Sequence, residues 1–335
     1  MKTEKKMLPR EIIMKTLACE ETDRVPYLEI FFGHKGFAEY FGGPQNSCED
    51  AARYLANSGQ CSYLVGGFWW TLQSKYLEVE HDVKRYAGGD AITMDDVINM
   101  QPPIFDERID ALNNAIAAAR KYNLATHVFL MNSFHSASTS MGLKNLALAL
   151  YDTPEIVEAY MNKIEEYNRS VLHKLSKFDI DFVFFDGDCA YKNGLMINPR
   201  MFRDLWFEKT KETIKVCQKH GWPYCYHTDG KIDEVYPLLI ELGFSATHGV
   251  EAAANSLAEI KDKFGKQITL IGNFDITDLA FKTPVEIHDM TIEMLKIGYQ
   301  GGRYIAACNT LPGNNIPLEN YLAFRDTIVN FKNHC

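Results

Sequence analysis

Four side chains able to bind a metal or move a proton recur at equivalent places in this chain. His227 and Asp229 lie in PYCYHTDG, Glu251 in THGVEA and Cys308 in YIAACNT. Each closes a short apolar run and precedes a stretch with helical spacing. An imidazole, two carboxylates and a thiol brought together would make a divalent-metal site, with zinc the first candidate. Strand side chains alternate faces, so His227 and Asp229, two residues apart, can point the same way. A neighbouring parallel strand roughly 4.8 Å away brings Glu251 within reach. We therefore expect His227, Glu251 and Cys308 as metal ligands, with Asp229 either completing the shell or serving as an acid. Asp186 and Asp188 in FDGDC are further acids or substrate anchors, unless they serve as helix caps and loop hydrogen-bond acceptors.

The elements that must position these groups alternate strand with helix. Eight apolar runs read as strands: Val25–Phe32, Ser62–Gly66, Ala125–Met131, Phe182–Phe185, Pro223–His227, Ala246–Val250, Ile268–Gly272 and Arg303–Ala307. Stretches with apolar residues at helical spacing separate them, among them Asp106–Tyr122, Pro154–Phe178, Pro199–His220, Ile232–Leu242 and Pro284–Ile297. Asn198-Pro199 and Asp152-Thr-Pro-Glu are helix starts, and Gly221, Gly243, Gly265 and Gly298 are stops. Eight alternations over this length favour an α/β fold of the closed (β/α)8 TIM-barrel type over an open doubly wound sheet. In such a barrel all strand ends meet at one mouth. Residues 71–105 break the pattern and read as an embellished loop, a hairpin over that mouth, within one domain spanning 1–335.

Composition narrows the function. With 335 residues, 46% of them hydrophobic, the chain can bury a full core. A net charge of −9 argues against nucleic acid or an anionic membrane as the main partner. No apolar run approaches the ~20 residues of a membrane span. The basic start, MKTEKKMLPREIIMK, has no apolar core or small-residue cleavage site and is not read as a secretory signal. Eight scattered cysteines suit a reducing cytoplasm. No GxGxxG or GxxxxGK[ST] run follows the first strands, which leaves nucleotide binding without support. Phe31, Phe32, Phe68, Trp69, Trp70, Phe134 and Tyr191 fall at or just past strand ends, as do His34 and His135. Of these we take Phe32, His34, Phe68, Trp69, Trp70, His135 and Tyr191 as substrate-binding candidates for a flat or methylated apolar molecule.

The segments FDGDCAYKNGLMINP from Phe185, YHTDG from Tyr226, EIKDKFGKQITLIGN from Glu259, PLEN from Pro317 and TDRVP from Thr22 resemble the uroporphyrinogen decarboxylase superfamily over nearly the whole chain. That resemblance implies a (β/α)8 barrel. Decarboxylases of this kind resemble one another in an Arg-rich first loop for a substrate with many carboxylates. Here the stretch reads EIFFGHKG from Glu29, without arginine, and a polyanion needs fixed cations to offset its desolvation. The other branch, methyltransferases working with a corrinoid, resembles this chain better. Thiol-using members hold zinc through His-x-Cys and a distant Cys. His227 matches the His, Asp229 stands at the first Cys, and Cys308 falls near the second, with a two-residue ambiguity toward Thr310. A carboxylate in place of thiolate makes the metal harder and better suited to an ether oxygen.

The expectation is thus a cytoplasmic methyltransferase that demethylates a methoxylated small molecule, with zinc or an acid assisting. No corrinoid-binding Asp-x-His-x-x-Gly segment occurs, so the cobalamin must arrive on a separate corrinoid protein docking at the mouth. The resemblance also implies a homodimer. The rival readings are a methylcobamide:thiol methyltransferase, a decarboxylase-like lyase acting on a small acid, and a barrel kept as a non-catalytic binding protein.

Overall fold

A computed structural model describes residues 6–30, 34–42, 46–72, 74–79 and 83–332; the side chains of 78, 79 and 83–85 are not described. Eleven strands occur among these residues: β1 (Ser62–Phe68), β2 (Lys75–Val79), β3 (Val83–Gly88), β4 (Ala125–Met131), β5 (Phe182–Asp186), β6 (Ala190–Tyr191), β7 (Gly194–Leu195), β8 (Tyr224–His227), β9 (Ala246–His248), β10 (Thr269–Phe274) and β11 (Tyr304–Cys308). Seven of them form one sheet in the order β1-β4-β5-β8-β9-β10-β11, and every pairing within it is parallel.

The sheet is closed by the segment around Tyr27. The Ala306 amide donates to the Pro26 carbonyl (2.9 Å), the Leu28 amide to Ala306 (3.1 Å) and the Cys61 amide to Tyr27 (2.9 Å). This eighth strand completes the expected (β/α)8 barrel, although only Tyr27 forms a β-bridge and Phe31–Phe32 lie outside the described residues.

Alternation along each strand decides what enters the barrel. Phe182 and Phe184 on β5, Cys225 on β8, Ala246 on β9, Ile271 on β10, and Ile305 and Ala307 on β11 belong to the inner cluster with Leu28, Ile30 and Phe129. The helix Pro9–Leu17 contributes Ile12, Ile13 and Leu17 to that cluster. Val183 and Phe185, by contrast, pack outward against the helical layer, as do Tyr224 and Tyr226. Two residues beyond Phe184 and Cys225 come Asp186 and His227. The parity that sends phenylalanine inward lower in the barrel therefore sends a carboxylate and an imidazole inward at its rim.

The 71–105 excursion contains the antiparallel pair β2–β3. The Tyr86 hydroxyl donates to the Thr139 carbonyl (2.8 Å), and the Leu72 amide donates to Ser140 Oγ (2.8 Å). Both contacts reach the helix Ser133–Met141, which follows β4. No helix of the described residues is long and apolar enough to cross a membrane.

Candidate functional site

Adjacent strands carry the site in register: Met131 on β4 pairs with Asp186 on β5, Asp186 with His227 on β8, and His227 with His248 on β9. Just past β4, Asn132 caps the helix Ser133–Met141 by accepting from the His135 amide (2.7 Å), which turns the His135 ring toward β5. His135 Nδ1 lies 3.1 Å from Asp186 Oδ1, and Trp69 Nε1 donates to Asp186 Oδ2 at 2.9 Å. Asp188 lies opposite, its Oδ2 at 3.8 Å from His135 Nε2 and its Oδ1 at 3.9 Å from His227 Nε2. It also accepts from the Asp229 amide (3.0 Å).

Gly187 makes the double-carboxylate turn possible. A Cβ there would lie 2.3 Å from the Tyr226 ring and 2.4 Å from the Asn132 amide nitrogen. Asn132 donates to the Tyr226 hydroxyl, which in turn donates to the Gly187 carbonyl (2.7 Å).

Charge and burial set the proton affinities. Burial lowers that of His135, but Asp186 and Asp188 outweigh it and hold the imidazolium at about 9. Burial raises the Asp186 carboxyl, yet His135, His227 and the Trp69 donor bring it down to about 2. Asp229 behaves oppositely. Burial pushes it up to about 6, helped by Asp188, Glu251 and Asp186 and opposed by His227. A fixed imidazolium and a carboxyl that titrates near neutrality, each adjoining Asp188, are groups suited to proton donation.

His135, Asp186 and Asp188 floor a cavity of about 580 Å³ lined by Trp69, Tyr76, Tyr86, Tyr191, Met131, Met196, Leu143, Ser138 and Thr139, whereas His227 and Asp229, which adjoin Asp188, are not part of that lining. Of the residues expected to bind substrate, Trp69, His135 and Tyr191 line this cavity. Three others do not line it. Phe68 stacks on Phe105 in the core (5.5 Å), Trp70 meets Tyr167 edge-on, and His34 accepts from the Phe37 amide while its Nε2 donates to the Ile316 carbonyl. Phe32 lies outside the described residues. Tyr76 and Tyr86 were absent from the expectation because nothing in the sequence says where the hairpin folds over.

The expected ligand triad is not gathered. Asp186, Asp188 and His227 have ligand atoms within 4.8 Å of one another, and among the described residues His227, Glu251 and Cys308 form no such group. Cys308 shares the parity of Tyr304 and Ala306, whose side chains pack outward, whereas Ile305 and Ala307 face the barrel interior. Its thiol lies in a closed pocket with Glu29, Tyr27 and Tyr321, where burial and the neighbouring Glu29 push its proton affinity well up. Glu29 is itself raised by burial to about 8 and accepts from the Cys308 amide (3.2 Å). Glu251 lies in the loop after β9 and accepts from the Gly230 amide (3.0 Å), bracing the turn that carries Asp229. His248, unremarked in the sequence, is buried against His227 with their Nδ1 atoms 2.9 Å apart.

Residues 80–331 match the family model described as uroporphyrinogen decarboxylase (URO-D). A solved structure described as a methyltransferase from Methanosarcina mazei superposes with a TM-score of 0.71 at 16% identity, covering 97% of this chain and 99% of that one. A D-psicose 3-epimerase from Clostridium cellulolyticum H10, solved with D-tagatose, reaches 0.39 at 12% identity over 68% of this chain and 83% of its own. No curated protein matches significantly.

Proposed function

The chain belongs to the uroporphyrinogen decarboxylase family, and within it we propose a methyltransferase that removes the methyl group of a methoxylated small molecule and delivers it to a corrinoid carried by a separate protein. The observation that carries this reading is the acid–imidazole floor of Asp186, Asp188 and His135 beneath an aromatic-walled cavity, with His227 and Asp229 adjoining Asp188. Among the described residues lining that cavity there is no Arg or Lys to pair with a substrate bearing many carboxylates. The M. mazei methyltransferase shares the fold and lends the reading an analogy.

An ether is a poor methyl donor because its leaving oxygen must carry charge. In this site Asp229 is the acid that protonates that oxygen, and the His135 imidazolium, clamped by Asp186, offsets the charge as it develops. Trp69, Tyr76, Tyr86 and Tyr191 stack on the substrate ring and exclude water from the reacting bond. Two hard oxygen donors and an imidazole within one short radius fit a divalent cation such as zinc, which Asp186, Asp188 and His227 would hold. Bound there, the cation would supply a Lewis acid for the same oxygen. Among the described residues no cysteine joins Asp186, Asp188 and His227, and that hard donor set favours oxygen over sulfur. The corrinoid supplies a nucleophilic cobalt when its carrier docks over the mouth.

The test is methyl transfer followed through the cobalamin absorption spectrum, with methoxyaromatics and methyl thioethers offered in parallel and metal content measured on protein purified without chelator. Faster turnover of the methoxyaromatics supports the reading. Inert methoxy compounds alongside active thiols would overturn it.

A further inference from the structure

A second cavity opens at the other end of the barrel. Its volume is about 630 Å³, within the range of small-molecule sites. The segments leading into β10 and β11 carry it, whereas Asp186 and His227 stand where β5 and β8 leave the barrel. Four cations line it: Lys261, Lys266, Lys296 and Arg303. Asp262 is the one carboxylate among the described lining residues, and Ala258 and Ile297 give the cavity an apolar side.

Among the described residues no carboxylate forms an ion pair with any of these four cations. Lysines elsewhere on the surface do find one, as Lys231 does with Asp233 and Lys174 with Asp106, each at 3.5 Å. Lys261 is held in place: its ammonium donates to the Gly302 carbonyl and to the Arg303 carbonyl (3.4 Å). Burial and the neighbouring Arg303 bring it down to about 8, the behaviour of a cation without a counter-charge. Arg303 keeps a left-handed backbone (φ 51°) directly after Gly301 and Gly302, which share that conformation. Glycine would suit this backbone better, so what arginine supplies there is its side chain.

Part of the charge has a structural role. Lys261 sits in the last turn of the helix Leu257–Phe264, and Lys296 in that of Pro284–Gly298. Two helix C-termini at about half a negative charge each, together with Asp262, offset about two of the four cations. A surplus of about two positive charges remains in a concave site, on a chain whose net charge is −9.

We propose that this pocket binds a small molecule bearing a phosphate or diphosphate group, with the four cations around the anion and Ala258 and Ile297 against its carbon framework. A dianion matches the surplus charge, and lysine and arginine heads are strong partners for phosphate oxygens. Its place at the far end of the barrel makes this ligand a different molecule from whatever occupies the mouth. Lys261 and Arg303 are half-buried within the cavity, which suits an enclosed ligand rather than the flat surface of a bilayer.

Calorimetric titration of the full chain with inorganic phosphate and with diphosphate, chloride holding the ionic strength constant, tests this. One saturable site is expected, tighter for diphosphate. Lys266→Gln and Lys296→Gln, both exposed, should each raise the dissociation constant about tenfold or more in protein that still folds. Asp262→Asn should lower it. Lys263→Gln, in the same helix but outside the lining, and His135→Gln, at the mouth, should leave it unchanged. No saturable binding by the wild-type protein, unchanged affinity in the two lysine variants, equal weakening by Lys263→Gln, or loss of binding in His135→Gln would each overturn the proposal. So would binding to phosphatidic acid vesicles that soluble diphosphate does not displace.

Discussion

Replacing His135 with glutamine removes the imidazolium that faces two carboxylates, and its cost can be worked from either partner. His135 is held at about 9 against an ordinary 6.5, and Asp186 at about 2 against 3.8. At about 1.4 kcal/mol per tenfold change in proton affinity, these correspond to about 3 and about 2 kcal/mol. Both side chains are mostly buried, 16% and 12% exposed, so screening takes little from the figure. The pair should therefore contribute about 2–3 kcal/mol in metal-free protein. The sign follows from each partner. The His135 contribution is complete below pH 6.5 and is lost as pH rises through about 9. The Asp186 contribution is complete above about 4 and is lost as pH falls through about 2. Urea unfolding of wild type, His135→Gln, Asp186→Asn and the double variant between pH 4.5 and 10 reads the coupling directly. We expect about 2–3 kcal/mol between pH 4.5 and 6.5, shrinking toward zero by pH 10. A coupling below 0.5 kcal/mol at pH 6, or a His135 ring that titrates near 6.5 by NMR, would refute the reasoning.

Asp229→Asn should lower kcat about 10²–10⁴-fold if Asp229 is the acid. Because only its protonated form donates, wild-type kcat should fall as pH rises through about 6, and the variant should lose that limb. His227→Ala should strip most of the bound zinc while Cys308→Ala, whose thiol points away from the mouth, should keep it; metal analysis of the two side by side decides. Tyr86→Phe removes the bond to the Thr139 carbonyl, worth about 1 kcal/mol, and should raise KM for a methoxyaromatic more than it lowers kcat.

Parity explains which parts of this site could be read from the chain. Trp69 and Trp70 are neighbours, so one must face the cavity and the other the core, and the sequence marks them alike. Tyr304–Cys308 is buried on both faces, so no polar alternation tells its inner side from its outer, and a thiol at its end could be assigned to either. Asp186 and Asp188 were legible because carboxylates two apart after an apolar run are uncommon in a core. His248 was not, because its meaning depends on pairing with His227, and a buried strand of Ala, Thr and His announces no partner. The barrel itself was legible, with seven strands ending within two residues of the expectation, the first reduced to a bridge at Tyr27 and the helix expected from Ile232 beginning at Tyr236, since eight runs of strand length separated by helical spacing admit few other closures.

The barrel's seam has a consequence for how the chain reaches this state. Between β11 and β1 the ladder rests, among the described residues, on Pro26, Tyr27 and Leu28, joined by three main-chain hydrogen bonds. Those residues lie near one end of the chain and their partner Ala306 near the other, so that bridge waits on almost the entire polypeptide. Until then β1 and β11 are open edges, each presenting a row of unpaired amides and carbonyls to any passing strand. A variant that loosens this one turn of chain would leave the finished site nearly intact on paper, and would be lost in the cell as aggregate before the site could form.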